Sequence, residues 1–119
     1  MSSINSYKEL LVWQKSIELV KEIYLQTEFF PADEKFGLTS QIRRSVISIP
    51  SNIAEGWGRM SKKNYIQFLR ISRGSLFELE TQMIISKELK YSTDSENIDN
   101  LIIEISKMLN SLIKKLEEK

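Results

Sequence analysis

The sequence of 119 residues contains neither cysteine nor histidine, and these two absences exclude several kinds of site. Without cysteine the chain forms no disulfide and no thiolate metal site. Without histidine it lacks both the usual zinc ligand and the imidazole base of hydrolase triads. The glycine spacings of phosphate-binding loops are also missing. The sequence therefore predicts a protein that is not an enzyme, holds no metal or cofactor, and takes no small-molecule substrate.

Proline and glycine are scarce, with two and four residues respectively, so long stretches of the chain are free to form helices. Hydrophobic residues at 41% and charged residues at 28% are typical of globular proteins. At this length we expect a single domain over residues 1–119. No segment approaches the roughly 20 apolar residues that cross a bilayer, and the first residues carry no leader pattern. We therefore expect no membrane association and a cytoplasmic location.

Apolar residues recur at helical spacing in four segments, roughly residues 7–28, 36–57, 61–91 and 95–118. In the first segment the residues predicted to face the core are Leu10, Trp13, Ile17, Val20 and Tyr24. In the second they are Thr39, Ile42, Val46, Ile49 and Ile53. In the third they are Tyr65, Phe68, Leu69, Ser72, Leu76, Leu79 and Met83. In the fourth they are Ile98, Leu101, Ile102, Ile105, Leu109, Leu112 and Leu116.

Short connections between these segments make neighbouring helices antiparallel, and strand signals are absent. The sequence therefore predicts an all-α fold, an antiparallel up-down-up-down four-helix bundle. Ser61 is the expected N-cap of the third helix, and Asp94 or Ser95 that of the fourth. Pro50 removes a backbone hydrogen bond inside the second helix, so we expect a kink or a break there.

Charge is unevenly placed along the chain, although the formal net charge is only +1. Residues 36–75 contain seven basic residues and one carboxylate, Glu55, a net charge of +6. The remaining residues contain ten basic and fifteen acidic residues, a net charge of −5. The basic residues of the middle segment are Arg43, Arg44, Arg59, Lys62, Lys63, Arg70 and Arg73. They include every arginine of the chain, and arginine is suited to forked contacts with phosphate.

This basic segment has two interpretations. At 100° per residue, Lys62, Lys63, Arg70 and Arg73 share an arc of about 100° on the third helix, where they could neutralise phosphates of RNA or DNA. Alternatively, they form a solvated face or pair with acidic helices. Ile66, Phe77 and Ile84 lie on the same side of that helix, which indicates a contact with another subunit.

Two further residues invite a structural interpretation. Glu55 has no visible catalytic partner, so we interpret it as an acceptor for Arg43, Arg44 or backbone groups near Pro50. Gly74, next to Ser75 in the middle of the third helix, indicates a close helix crossing, because an isolated glycine in a helix usually has a packing reason.

The chain resembles the bacterial 23S rRNA intervening-sequence proteins through several long motifs. These are YKELLVW from Tyr7, FPADEKFGLTSQIRRSVISIPSNI from Phe30, AEGWGR from Ala54 and YIQFLRISRGSLFELE from Tyr65. The resemblance implies a four-helix bundle that assembles into a ring-like homopentamer, without an established enzymatic activity. It extends to the accessory proteins of diversity-generating retroelements, which bind nucleic acid and a reverse transcriptase. Carried over by position, the resemblance implies nucleic-acid or subunit contacts for Arg43, Arg44, Arg59, Arg70 and Arg73.

Overall fold

A computed structural model describes residues 4–118 and contains four long helices. The helices are α1 (Leu11–Thr27), α2 (Leu38–Gly58), α3 (Lys62–Glu88) and α4 (Glu96–Glu117). Two single 3-10 turns, Tyr7–Glu9 and Ala32–Glu34, precede α1 and α2. No strand occurs among the described residues. The all-α class is confirmed, although α1 begins four residues later than expected because residues 7–9 form a separate turn.

Side-chain caps and left-handed residues set the ends of the helices. The hydroxyl of Ser61 accepts a hydrogen bond from the backbone N–H of Asn64, and that of Ser95 accepts one from Ile98. These contacts confirm the predicted N-cap at Ser61 and select Ser95 over Asp94. Met60 after α2 and Lys90 after α3 have positive φ angles of 59° and 63°. This left-handed conformation commonly terminates helices, and glycine adopts it most easily.

The helices pack in cyclic order, each on the next along the chain and α1 on α4, with no contact across either diagonal in residues 4–118. The pairing runs in opposite directions between neighbours. Ser45 of α2 contacts Gln82 of α3, whereas Ser72 of α3 contacts Ile49 of α2. The same inverse order relates α1 to α2 and α4 to its two neighbours. The result is a rod of 48 × 26 × 21 Å with antiparallel neighbours.

The core confirms the predicted inward face of α2 but corrects that of α1. All five residues predicted for α2 are buried. The buried residues of α1 are instead Val12, Ser16, Leu19, Ile23 and Thr27. The predicted stripe of α1 lies beside this one on the helix, and it is only partly buried. Two hydroxyl residues made the true stripe look polar, but each bonds to a carbonyl four residues earlier in its own helix and needs no water.

Helix α2 passes through Pro50 without interruption, so the expected break is wrong, while the kink stays a prediction. Pro50 itself is buried and lacks a backbone donor. The carbonyl of the preceding Ile49 accepts a hydrogen bond of 2.8 Å from the Ser72 hydroxyl of α3. This bond joins α2 to α3 beside the proline, but it does not replace the one that Pro50 removes, because that bond would run to the carbonyl of Val46.

Helices α2 and α3 have the most extensive contact in the bundle, and it includes several polar pairs. The hydroxyls of Ser48 and Ser75 are 2.8 Å apart. At Gly56 an added Cβ would lie 2.7 Å from the Cβ of Phe68, so only glycine fits. Gly74 is exposed, and a Cβ there would meet nothing within 4 Å. The close crossing predicted at Gly74 therefore lies at Gly56 instead, although Ser75 takes part in the contact.

Candidate nucleic-acid and self-association surfaces

The seven basic residues of the middle segment do not share one surface. Arg43 turns towards α1, where its Nε donates to the Thr27 hydroxyl at 2.9 Å. Its guanidinium also lies 4.3 Å from the centre of the Tyr24 ring. Because α2 rises 1.5 Å per residue, Arg43 and Arg59 are separated by about 24 Å along the helix. Arg43 therefore holds the end of α1 against α2.

Three further arginines are engaged within the chain. Arg59 bonds to Glu55 at 2.9 Å and lies 5.0 Å from the centre of the Phe68 ring. The partner of Glu55 is thus Arg59, which corrects the assignment of Glu55 to Arg43, Arg44 or the backbone. Arg70 forms an ion pair with Glu117, and Arg73 donates to the Asn110 side chain at 3.0 Å. These exposed pairs are weak and compatible with exchange for phosphate.

Arg44, Lys62 and Lys63 have no ion-pair partner within residues 4–118. Arg44 lies in the groove between α2 and α3, beside Ser48 and Glu78. Lys62 and Lys63 form the first turn of α3 and are fully open to solvent at one end of the rod. Two of these three residues thus lie at one end of the rod, whereas Arg44 lies in the half towards the other end.

Antiparallel packing gives the bundle one basic half and one acidic half. The basic half, residues 4–18, 48–75 and 107–118, contains ten basic and five acidic residues. The acidic half, residues 19–47 and 76–106, contains six basic and eleven acidic residues. The end of each half away from the middle is called here the basic end and the acidic end. Sequence position alone hid this polarity, because the basic half is assembled from three segments of the chain and the acidic half from two.

Partly exposed apolar side chains form one surface where α3 meets α4, called here the α3/α4 face. Phe77 is 51% exposed, Ile84 55% and Ile103 of α4 52%. Phe77 and Ile103 border a small cavity above the buried Leu76. Ile66, which the helical wheel grouped with Phe77 and Ile84, is half-buried and packs against the core. It adds little to this surface.

A second apolar surface follows the groove between α1 and α2, called here the α1/α2 face. Its floor includes Pro50 and Ala54, and Trp13, Ile17 and Ile47 border it. Ile47 is 42% exposed. Three of the five residues assigned to the core from α1, Trp13, Ile17 and Val20, line this groove, which explains their apolar spacing. The sequence had given no reason to separate the two stripes of α1.

The α1/α2 face and the α3/α4 face lie on opposite sides of the rod. This follows from the cyclic packing order, in which the α2–α3 and α1–α4 contacts separate the two faces. One partner bound by two-fold symmetry would cover the same face on both copies and leave the other face open. Two different opposed faces are both covered when each copy binds the next one head to tail.

Groups with altered proton affinity are few. The Glu34 carboxylate accepts a hydrogen bond from the Tyr91 hydroxyl at 3.1 Å, and this bond, with some burial, raises the pKa of Tyr91. Burial raises the pKa of Tyr65.

Within the described residues no group of three or more acidic, cysteine or histidine side chains could hold a metal ion. No helix in that range is long and apolar enough to cross a membrane.

Comparison with known proteins gives a family match and a structural relative. Residues 8–111 match the family model of the 23S rRNA-intervening sequence proteins. The fold is similar to the crystal structure of a protein of unknown function from the S23 ribosomal protein family of Bacteroides thetaiotaomicron. The two are 31% identical with a TM-score of 0.78, over 87% of this chain and 96% of that one. No curated protein matches the chain.

Proposed function

The chain belongs to the 23S rRNA-intervening sequence protein family, and from this and the surfaces described above we propose that it is a non-enzymatic subunit of a homo-oligomer that binds RNA or DNA at its basic end. The observation that carries the proposal is the separation of surfaces. Two apolar faces lie on the sides of the rod, and Lys62 and Lys63, which form no ion pair within residues 4–118, lie at one tip. Association through the side faces and nucleic-acid binding therefore use different parts of the molecule.

The side faces support a ring. The groove of the α1/α2 face is concave and has small residues on its floor, whereas Phe77 and Ile103 protrude from the α3/α4 face. In the proposed assembly a protruding side chain of one copy enters the groove of the next, and repetition of this head-to-tail contact forms a ring when the rotation between copies closes. The resemblance of the sequence implies five copies. When the rotation axis runs along the rods, all basic ends lie on one rim.

The basic ends on one rim of the proposed ring support nucleic-acid binding, because every copy adds the same positive charges to that rim. Each copy contributes Lys62 and Lys63, with Arg59 and Arg70 nearby in exposed ion pairs that phosphate can replace. A single bundle offers too few such groups for tight binding, but a ring multiplies them on one surface. Contacts of this kind recognise the backbone and not the base sequence.

The second candidate is a structural module that touches no nucleic acid. Its support is the engagement of Arg43, Arg59, Arg70 and Arg73 by side chains of their own chain. In this candidate the arginines stabilise the bundle, and Lys62 and Lys63 only keep the end soluble.

Salt-dependent binding of labelled RNA separates the two candidates. We expect retention at low salt, with a log–log slope against salt concentration of about −0.7Z for Z phosphate contacts on a single strand. The double variant Lys62→Glu with Lys63→Glu should lose binding and flatten the slope. The matched control, Lys21→Glu with Lys90→Glu, makes the same charge change in the acidic half and should retain binding. Equal loss in both variants, or no binding at low salt, contradicts the proposal.

Mixing of two interface variants tests the assembly. Ile47→Glu blocks the α1/α2 face and Phe77→Glu blocks the α3/α4 face, so each variant alone should be monomeric by light scattering. Each variant keeps one intact face, and these two faces are complementary. An equimolar mixture should therefore form a dimer, with twice the mass of a single chain. Variants that stay assembled alone, or a mixture that stays monomeric, would exclude head-to-tail association through these faces.

A further inference from the structure

We propose that copies of this protein also bind one another end to end, with the acidic end of one against the basic end of the next. The contact uses the two tips of the rod and leaves both side faces free. It rests on the proposed ring for its strength, because each ring brings several tips together, but its charge complementarity belongs to the single chain.

The most exposed large apolar side chains of the described residues all lie at the tips. Met60 is 92% exposed at the basic end, and Phe36 and Phe29 are 89% and 86% exposed at the acidic end. The next most exposed, Leu25, is at 60%. A single exposed apolar residue is ordinary on a protein surface. The three most exposed ones all lie at the tips, however, and this indicates contact surfaces there.

Met60 lies at a position where the backbone conformation favours glycine. Its φ of 59° is left-handed, and in this region any residue with a Cβ is less favourable than glycine. The chain thus keeps a large flexible side chain, pointing into solvent, where glycine would fit better. A methionine thioether adapts to varied apolar partners, which suits a surface that meets the two phenylalanines of another copy.

The charges around these apolar side chains are mainly acidic at one tip and mainly basic at the other, although the Lys35 ammonium lies 5.5 Å from the centre of the Phe36 ring. Glu28 lies next to Phe29, and Asp33 lies in the turn between Phe29 and Phe36. Lys62 and Lys63 follow Met60 at the opposite tip. An acidic tip carrying phenylalanine and a basic tip carrying methionine complement each other, whereas two like tips repel. The same molecule therefore carries both halves of the contact.

The size of the tips sets the strength of the contact. A cross-section of 26 × 21 Å limits the area buried to about 550 Å² per copy, near the lower bound for specific interfaces. A single pair of rods should therefore dissociate readily, whereas two stacked rings join through several tips at once. Exposed charge pairs are screened over about 3 Å at 1 M salt, so stacks should form only at low salt.

Sharing of the basic end has a consequence for the proposed binding of nucleic acid. Phosphates and the acidic tip of another copy would meet the same lysines, Lys62 and Lys63. Short RNA should therefore shorten the stacks, and stacking should lower the apparent affinity for RNA.

Sedimentation and light scattering of the full chain across a salt series test the inference. We expect the mass of one ring at 1 M salt and a series of multiples of that mass at 20 mM salt. Glu28→Lys with Asp33→Lys should abolish the multiples, as should Lys62→Glu with Lys63→Glu. The matched control, Glu18→Lys with Glu22→Lys on the side of α1, should retain them. Met60→Gly should remove or shorten the stacks while the fold stays intact by circular dichroism.

The two charge-reversed variants also test each other. One has two basic tips and the other has two acidic tips, so neither stacks alone, but their mixture should regain the multiples at low salt. Rings whose mass does not increase at low salt would overturn the end-to-end contact but not the ring. The same conclusion follows if the mixture of the two variants does not regain the multiples. A monomer at high salt that forms chains at low salt would support the end contact and overturn the ring. A monomer at every salt concentration would overturn both.

Discussion

Replacing glycine by alanine should have opposite effects at two positions of the bundle, Gly56 and Gly74. Both lie inside long helices, where alanine is more favourable than glycine by about 1 kcal/mol. At Gly74 the new methyl group meets nothing within 4 Å, so Gly74→Ala should stabilise the protein by about that amount. Gly74→Ala thus measures the gain from helix propensity alone.

At Gly56 the same methyl group would overlap α3. It would lie 2.7 Å from the Cβ of Phe68 and 3.3 Å from the carbonyl oxygen of Tyr65, and neither atom can turn aside without movement of the helix. Overpacking of this kind costs about 1–3 kcal/mol. After subtraction of the propensity gain, Gly56→Ala should destabilise the protein by roughly 0–2 kcal/mol.

Urea denaturation, followed by circular dichroism, gives the free energy of unfolding of each variant. The protein concentration must be held constant, because self-association adds to the apparent stability. With a urea dependence of about 1–3 kcal/mol per molar, the midpoints of the two variants should differ by roughly 1 M. If Gly56→Ala is as stable as Gly74→Ala, α2 and α3 are not in the close contact described here.

Two further changes test the end of the bundle that contains the α3–α4 turn. Lys90→Gly should stabilise the protein by about 1 kcal/mol in urea denaturation, because the left-handed φ of 63° favours glycine, and an unchanged midpoint would contradict this. Tyr91→Phe should lower stability at pH 8, because it removes the hydrogen bond to Glu34. The pKa of Tyr91 is raised on folding, so this bond stabilises the protein fully below about pH 10 and is lost as pH rises through the folded value. The deficit of the variant should therefore shrink above pH 10, and one that is equal at pH 8 and pH 11 would refute this role of the bond.

The helices and most of the core could be predicted because their signals are local. Five apolar or small residues at spacings of three and four define α2, and Ser61 carries the cap signal for α3. In α4 five of the seven predicted core residues are buried, whereas Leu112 and Leu116 are half-buried and the buried Ile113 was missed. Pro50 misled only in part, because the loss of a single backbone hydrogen bond did not interrupt the helix.

The surfaces could not be predicted with the same success, because they depend on which helices become neighbours. Helix α1 has two apolar stripes, and nothing within its own sequence shows that the one with Ser16 and Thr27 is buried. Likewise, the charge count along the chain suggested one basic surface, whereas Arg43 turns to α1 and Arg70 to α4. Folding instead divides charge between the ends of the rod.

The hydroxyl and amide groups between α2 and α3 fix the register of these two helices. Three hydrogen bonds join specific positions along the two helices: Ser45 with Gln82, Ser48 with Ser75, and Ser72 with the Ile49 carbonyl. Aliphatic side chains tolerate a slip of one turn, but such a slip would break all three polar contacts, two of which, those of Ser45 and Ser72, are buried away from water. Substituting aliphatic residues there should thus produce a bundle that melts at a similar temperature yet samples several registers.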